Sequence, residues 1–177
     1  ALSAHIRKER PDLRTWLQFD LGAGLTQAAL VENGHVIRQG ATIVAGNHIL
    51  HDLMYGINIE LAEARRLLHE QGHADGQAHE EEMLQVLRED GSEKTSVSSA
   101  YMFRIIHARV RELISFLQEE IVHWTKEGFA LPDTIVLDGG LSLLTGIDGV
   151  VQKLFNKQVN LLHASKNIAA HTAEGLL

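Results

Sequence analysis

Phe19-Asp20-Leu21-Gly22-Ala23-Gly24-Leu25-Thr26-Gln27 decides how the rest of this chain is read. An apolar run ends on an aspartate, turns through two glycines and leaves as a second apolar run, Ala28-Ala29-Leu30-Val31. That is the pattern of a tight β-hairpin. Glycine in such a turn lets the backbone approach an anion with no Cβ in the way, so that successive N–H groups face it. Asp20, at the strand end, is placed to face a magnesium ion through water. A second stretch, Ile135-Val136-Leu137-Asp138-Gly139-Gly140-Leu141-Ser142-Leu143-Leu144-Thr145-Gly146-Ile147, repeats the logic. A strand from Thr134 runs into two glycines, and Gly146-Ile147-Asp148 opens a helix carrying Val150, Val151, Leu154 and Phe155. Strand, glycine turn and helix together are a common seat for a phosphate or a flat ligand. The two stretches read as two walls of one phosphate-binding cleft, although a glycine turn after a strand also occurs with no ligand at all.

Outward from these motifs, residues 16–20, 26–32 and 35–39 read as three strands. Asn33-Gly34 between the last two is a type I′ hairpin signal. Gly46-Asn47 opens a helix to about Met54. Asn58-Ile59-Glu60 starts another, with Leu61, Ala64, Leu67 and Leu68 on one face, closed near Gly72. The polar stretch from Gly72 to about Glu82 is a loop. Leu84 to Leu87 and Lys94 to Val97 form a small hairpin around Asp90-Gly91. A long helix follows from Ser99 to about Glu127, with Phe103, Ile106, Val110, Leu113 or Ile114, Leu117, Ile121 and Trp124 at helical spacing. Strand 134–137, a helix near 148–156, a short strand at 159–162 and a terminal helix complete the order. The fold class is α/β, a mixed sheet with helices on its faces.

Composition narrows the function. The chain has 177 residues, 45% hydrophobic and 22% charged, a net charge of −7 and no cysteine. The acidic balance and the lack of a lysine-rich stripe argue against nucleic acid as a partner. Thiolate chemistry and disulfides are excluded. No apolar run approaches the roughly 20 residues of a membrane span, and no signal peptide is recognised after Ala1. Among the eleven histidines, His48 and His51 lie three apart on a helix, and His69, His73 and His79 lie near Glu80, Glu81 and Glu82. None has the spacing of a zinc motif, so a solvated acidic loop is the reading preferred.

Asp20-Leu21-Gly22-Ala23-Gly24-Leu25-Thr26 resembles the second phosphate motif of the actin, heat-shock chaperone and sugar kinase superfamily. Ile135 to Gly140 with Gly146-Ile147 resembles its adenosine motif. Ala45-Gly46-Asn47-His48-Ile49 with Asp52, the helix from Ala62-Glu63-Ala64-Arg65-Arg66 to Gly72, and Gln152 to Val159 are similar to the FtsA and PilM branch. The resemblance implies the C-terminal half of an actin-like (ribonuclease H-like) fold: a nucleotide-facing subdomain over 1–58 and 98–177, with a smaller α+β subdomain inserted at 59–97. Only 19 residues precede Asp20, so the other half of the cleft is expected to be missing.

Carried over by that resemblance, ATP or ADP with Mg2+ is the cofactor. Asp20 would hold the water shell of the magnesium, and Gln27 would stand near the attacking water. Gly22, Ala23, Gly24 and Thr26 would cradle phosphates. Glu63 and Arg66 would touch ribose and adenine, and Gly139, Gly140, Leu141 and Leu144 would line the adenine slot, with Leu143 turned to the core. The plainer readings are a turn-accepting aspartate, an ordinary hairpin, a solvent-facing glutamine and a surface ion pair. Three residues depart from the pattern: Leu25 replaces a hydroxyl, Asp138 replaces Ser or Thr, and Leu141 replaces a small residue. A carboxylate at 138 would repel nucleotide phosphates by about 1 kcal/mol, unless it caps the turn. The resemblance implies a self-assembling scaffold of cell division or pilus assembly. It would be cytoplasmic and act with division or pilus proteins at the inner face of a membrane. The alternatives are an ATPase that needs its missing half, a chaperone-like reactivating factor, and a degenerate scaffold without nucleotide. ATPase activity by this chain alone is not expected.

Overall fold

The structure, a computed structural model, describes residue 6 and residues 10–76, 81–88 and 94–162. His79, Glu80, the Asp90-Gly91 turn and the terminal helix expected from sequence lie outside them. Five strands make one mixed sheet, β1 (Thr15–Leu21), β2 (Thr26–Glu32), β3 (His35–Thr42), β6 (Thr134–Asp138) and β7 (Gln158–Leu161). Their order across the sheet is β3-β2-β1-β6-β7. β4 (Met83–Leu87) and β5 (Lys94–Ser98) pair separately.

The meander β1-β2-β3 is antiparallel and local in sequence. Its second turn carries Asn33 at φ 51° and Gly34 at φ 84°, the two positive-φ positions that a type I′ turn requires. β1 then pairs in parallel with β6, and β6 with β7. Parallel partners need a crossover. Helix α1 (Gly46–Ile57), α2 (Leu61–Gln71) and α3 (Ser99–Lys126) lie in the first one, and α4 (Ile147–Phe155) in the second.

Alternation along the strands sends one set of side chains to each face. Leu17, Phe19, Leu21, Ala28, Leu30, Ile135 and Leu137 join the main core with the apolar stripes of the helices. Trp16, Val31 and Val136 meet Ile6 and Leu162 on the opposite face. The buried stripe of α3 runs through Met102, Ile106, Val110, Leu113, Ile114, Leu117, Ile121 and Trp124. Met102 holds the core position expected of Phe103, which is only half-buried. Ser98 caps this helix, its side-chain oxygen accepting from the Tyr101 N–H at 3.4 Å. α1 extends past Met54 through Ile57 and stops where Asn58 enters the left-handed region at φ 60°. The α2 residues Ala64, Leu67 and Leu68, with Val86 of β4, are buried in the main core.

Leu143 corrects the sequence reading. A 3₁₀ turn spans Gly140–Leu143, and its three-residue period turns Leu143 outward to 66% exposure while Leu141 and Leu144 face the core.

Candidate functional site

The first glycine turn is built against α1. Gly22 N–H donates to Leu25 O at 3.1 Å and closes the turn, and the helix N-terminus locks it from behind. Gly46 N–H donates to Gly22 O at 3.0 Å, and Asn47 N–H to Ala23 O at 2.7 Å. The turn's carbonyls therefore satisfy two of the N–H groups that a helix start leaves open. Its own N–H groups at Ala23, Gly24 and Leu25 donate to no acceptor among the described residues. Successive free N–H groups in a tight turn are an anion-binding arrangement. Gly46 backs Gly22 and Ala23 at 3.4–3.5 Å measured from an added Cβ, and a Cβ on Gly22 would fall 2.7 Å from Leu25 O. A Cβ on Gly24 meets nothing within 4 Å. The turn is thus tight behind and open in front.

Asp20 precedes this turn, with Gln27 as its cross-strand neighbour on β2 and Asp138 as its parallel partner on β6. By strand alternation these three share a face at one end of the sheet. Gln27 is exposed, while both aspartates are half-buried. Burial first, and then the neighbouring Asp138 charge, push the Asp20 carboxyl above the usual carboxylate range. Neither aspartate caps a turn or pairs with a cation among the described residues. An unpaired carboxylate at a strand end fits a cation held through water. Thr26 points to the other face with Leu21, fully buried, and its hydroxyl has no hydrogen-bond partner among the described residues.

The second turn packs directly on the first. Gly139 has φ 86°, and a Cβ there would lie 2.6 Å from Asp20 Oδ1 and from Leu21 C and O. Only glycine fits. Ser142 then folds the turn back, its N–H and hydroxyl donating to Gly139 O at 3.0 and 2.7 Å. Leu141 and Leu144 are 6% and 8% exposed, so the slot they would line is formed largely by backbone. Gly146 starts α4 at φ 79°, and the His73 ring lies where its Cβ would be, at 2.6 Å. The segment leaving α2 is fixed there: Ala74 N–H donates to Thr145 O at 2.8 Å, and Ala74 O meets His107 Nδ1 at 2.7 Å. This seat of His73 on the second glycine turn is absent from the sequence reading.

Glu63 and Arg66 are engaged with each other. Arg66 donates from Nε and Nη2 to Glu63 at 2.9 and 2.8 Å, and from Nη1 to Glu70 at 2.7 Å. Glu63 also accepts from the Leu87 N–H at 3.4 Å, joining α2 to β4. Among the described residues no three histidine or acidic side chains converge as a metal cluster, and no helix is long and apolar enough to cross a membrane.

Comparison with known proteins agrees with this geometry. Residues 19–175 match the family model described as cell division protein FtsA. The cell division protein FtsA of Bacillus subtilis is 29% identical over 161 residues, covering 90% of this chain and 36% of that protein. Its counterpart in Agrobacterium fabrum is 28% identical over 174 residues, 89% of this chain and 38% of that protein. The chain therefore spans little more than a third of these relatives. Among solved structures, MreB5 of Spiroplasma citri bound to AMPPNP superposes with a TM-score of 0.71 at 20% identity, over 99% of this chain and 54% of that one. The MamK double helical filament gives 0.67 at 16% identity, over 91% and 51%. At such identities these structures establish the fold, which is actin-like.

Proposed function

Since this chain belongs to the FtsA family of cell division proteins over residues 19–175, we propose that it is the nucleotide-facing half of an actin-like scaffold, taking ATP or ADP with Mg2+ into the cleft between its two glycine turns. The observation that carries this is the first turn. Among the described residues, three successive N–H groups without an acceptor adjoin an unpaired carboxylate, which together match a phosphate and its metal. Gly22, Ala23 and Gly24 cradle the phosphates, and Asp20 holds the water shell of the magnesium. Gln27 stands beside it for the attacking water in an assembled cleft. Thr26 supports the turn from the core side. Gly139, Gly140, Leu141 and Leu144 form the base slot, with Glu63 and Arg66 at its rim on an inserted subdomain of 59–97. The magnesium, when bound, offsets phosphate charge.

Self-association and attachment to division components at the inner face of a membrane follow from the family as proposals for the whole protein. That MamK forms a filament supports the first. The half-cleft supplies too few donors for fast phosphoryl transfer, so this chain alone binds without appreciable turnover. A vestigial site is the second reading, favoured by Asp138 beside Asp20.

A thermal shift with millimolar Mg-ATP tests the proposal. Ligand at 100 times its dissociation constant adds about 2.7 kcal/mol, which in a domain of this size raises the melting temperature by roughly 5–10 °C. Gly24→Val should remove the shift and leave the unliganded melting curve in place, because the space in front of Gly24 is open. If wild type responds to neither Mg-ATP nor Mg-ADP, the vestigial reading replaces this one.

A further inference from the structure

Asp20 and Asp138 end neighbouring parallel strands at one register. Adjacent strands lie about 4.8 Å apart, so the two carboxylates leave the sheet side by side. Among the described residues neither has a hydrogen-bond donor or a cation beside it. The turn that would take phosphate follows Asp20 directly, and Gly139 presses against the Asp20 carboxylate. A polyphosphate seated on the Ala23, Gly24 and Leu25 N–H groups therefore brings further negative charge to a pair that is already uncompensated. One aspartate suffices to hold a metal's water. The second adds repulsion that only a cation relieves.

We propose that Asp138 is a specificity-determining residue that makes the cleft accept a nucleoside polyphosphate only as its divalent-metal complex and reject the free anion. This inference rests on the reading of the cleft as a nucleotide site. It assigns Asp138 no contact with the reacting atoms. Its effect is electrostatic, exerted through its position beside Asp20, and a neutral side chain of similar size abolishes it. Like charges a few ångströms apart at a half-buried site change affinity by about tenfold.

Titration calorimetry of the 177-residue chain with ATP, in excess Mg2+ and separately in EDTA, tests it on wild type, Asp138→Asn and Asp138→Thr. Melting curves establish that each variant is folded, and two variants are used so that loss of one leaves the other. Wild type should bind Mg-ATP and take metal-free ATP far more weakly. In the variants metal-free binding should tighten by about tenfold, or become measurable where wild type shows none, with Mg-ATP affinity little changed. An unchanged ratio of the two affinities in the variants overturns the role of Asp138 and leaves the nucleotide reading standing. Absence of binding by every form in either medium overturns both.

Discussion

Arg109 of α3 grips Asp52 of α1 with two parallel hydrogen bonds, Nε to Oδ2 at 2.6 Å and Nη2 to Oδ1 at 2.9 Å. Asp52 lies two turns beyond the α1 N-terminus that holds the first glycine turn, so this fork fixes the helix on which the turn rests. Both side chains keep about a quarter of their exposure, 23% and 30%, and solvent screening reduces the pair below a buried one. Asp52→Ala should destabilise the chain by roughly 1 kcal/mol and Arg109→Lys by less than that, because lysine keeps the charge and loses the fork. Urea denaturation measures both; equal losses would show that the fork geometry contributes nothing.

Gly139 is the position where glycine is required twice, by φ 86° and by the Asp20 carboxylate and Leu21 backbone at 2.6 Å from an added Cβ. Gly139→Ala should destabilise by roughly 2–3 kcal/mol, a strained backbone conformation and a backbone clash acting together. A melting temperature within about 2 °C of wild type would contradict the packing of the two turns.

Asp20 is a charge held half-buried with no partner among the described residues, next to another. Asp20→Asn should therefore raise stability at neutral pH by about 1 kcal/mol while weakening Mg-ATP binding. Opposite movement of the two readouts identifies a residue kept for a ligand. A loss of stability would mean that the carboxylate has a structural partner.

Glu63 moves the other way. Hydrogen bonding from Arg66, with the Leu87 N–H assisting, holds its carboxyl below the usual range. A folded value below the unfolded one means stabilisation present above the unfolded pKa of about 4.3 and lost as pH falls through the folded value. Glu63→Gln should cost about 0.5 kcal/mol at neutral pH and progressively less as pH falls below the unfolded pKa of about 4.3, the small size reflecting a surface network. A difference independent of pH would remove the charge from the explanation.

The strands and helices were legible because each is local. Alternation marks β1 and β2, Asn33-Gly34 sets their neighbour, and the spacing from Ile106 to Trp124 marks α3. Leu143 turns outward instead of to the core because the chain makes a 3₁₀ turn over Gly140–Leu143, which the glycine motif does not announce. The candidate turns were legible as glycine motifs. The adjacency of the Asp20 and Asp138 strand ends was legible too, since both motifs follow strands and open on one cleft. The grip of Arg109 on Asp52 and the seat of His73 on Gly146 were not, since each joins distant segments that no local pattern records.

The strand order has a consequence for how this molecule acquires its site. The β1-β2-β3 meander joins neighbours in the chain and can form early, whereas β1 meets β6 only after the long crossover through α1, α2 and α3 has folded back. Closing so large a loop is slow because its entropy is lost before the contacts reward it. The phosphate turn is thus half made by a fast local event, and its opposite wall arrives with the slowest one. In refolding, competence to hold an anion between the two turns should appear last, after most backbone amides are already protected from exchange.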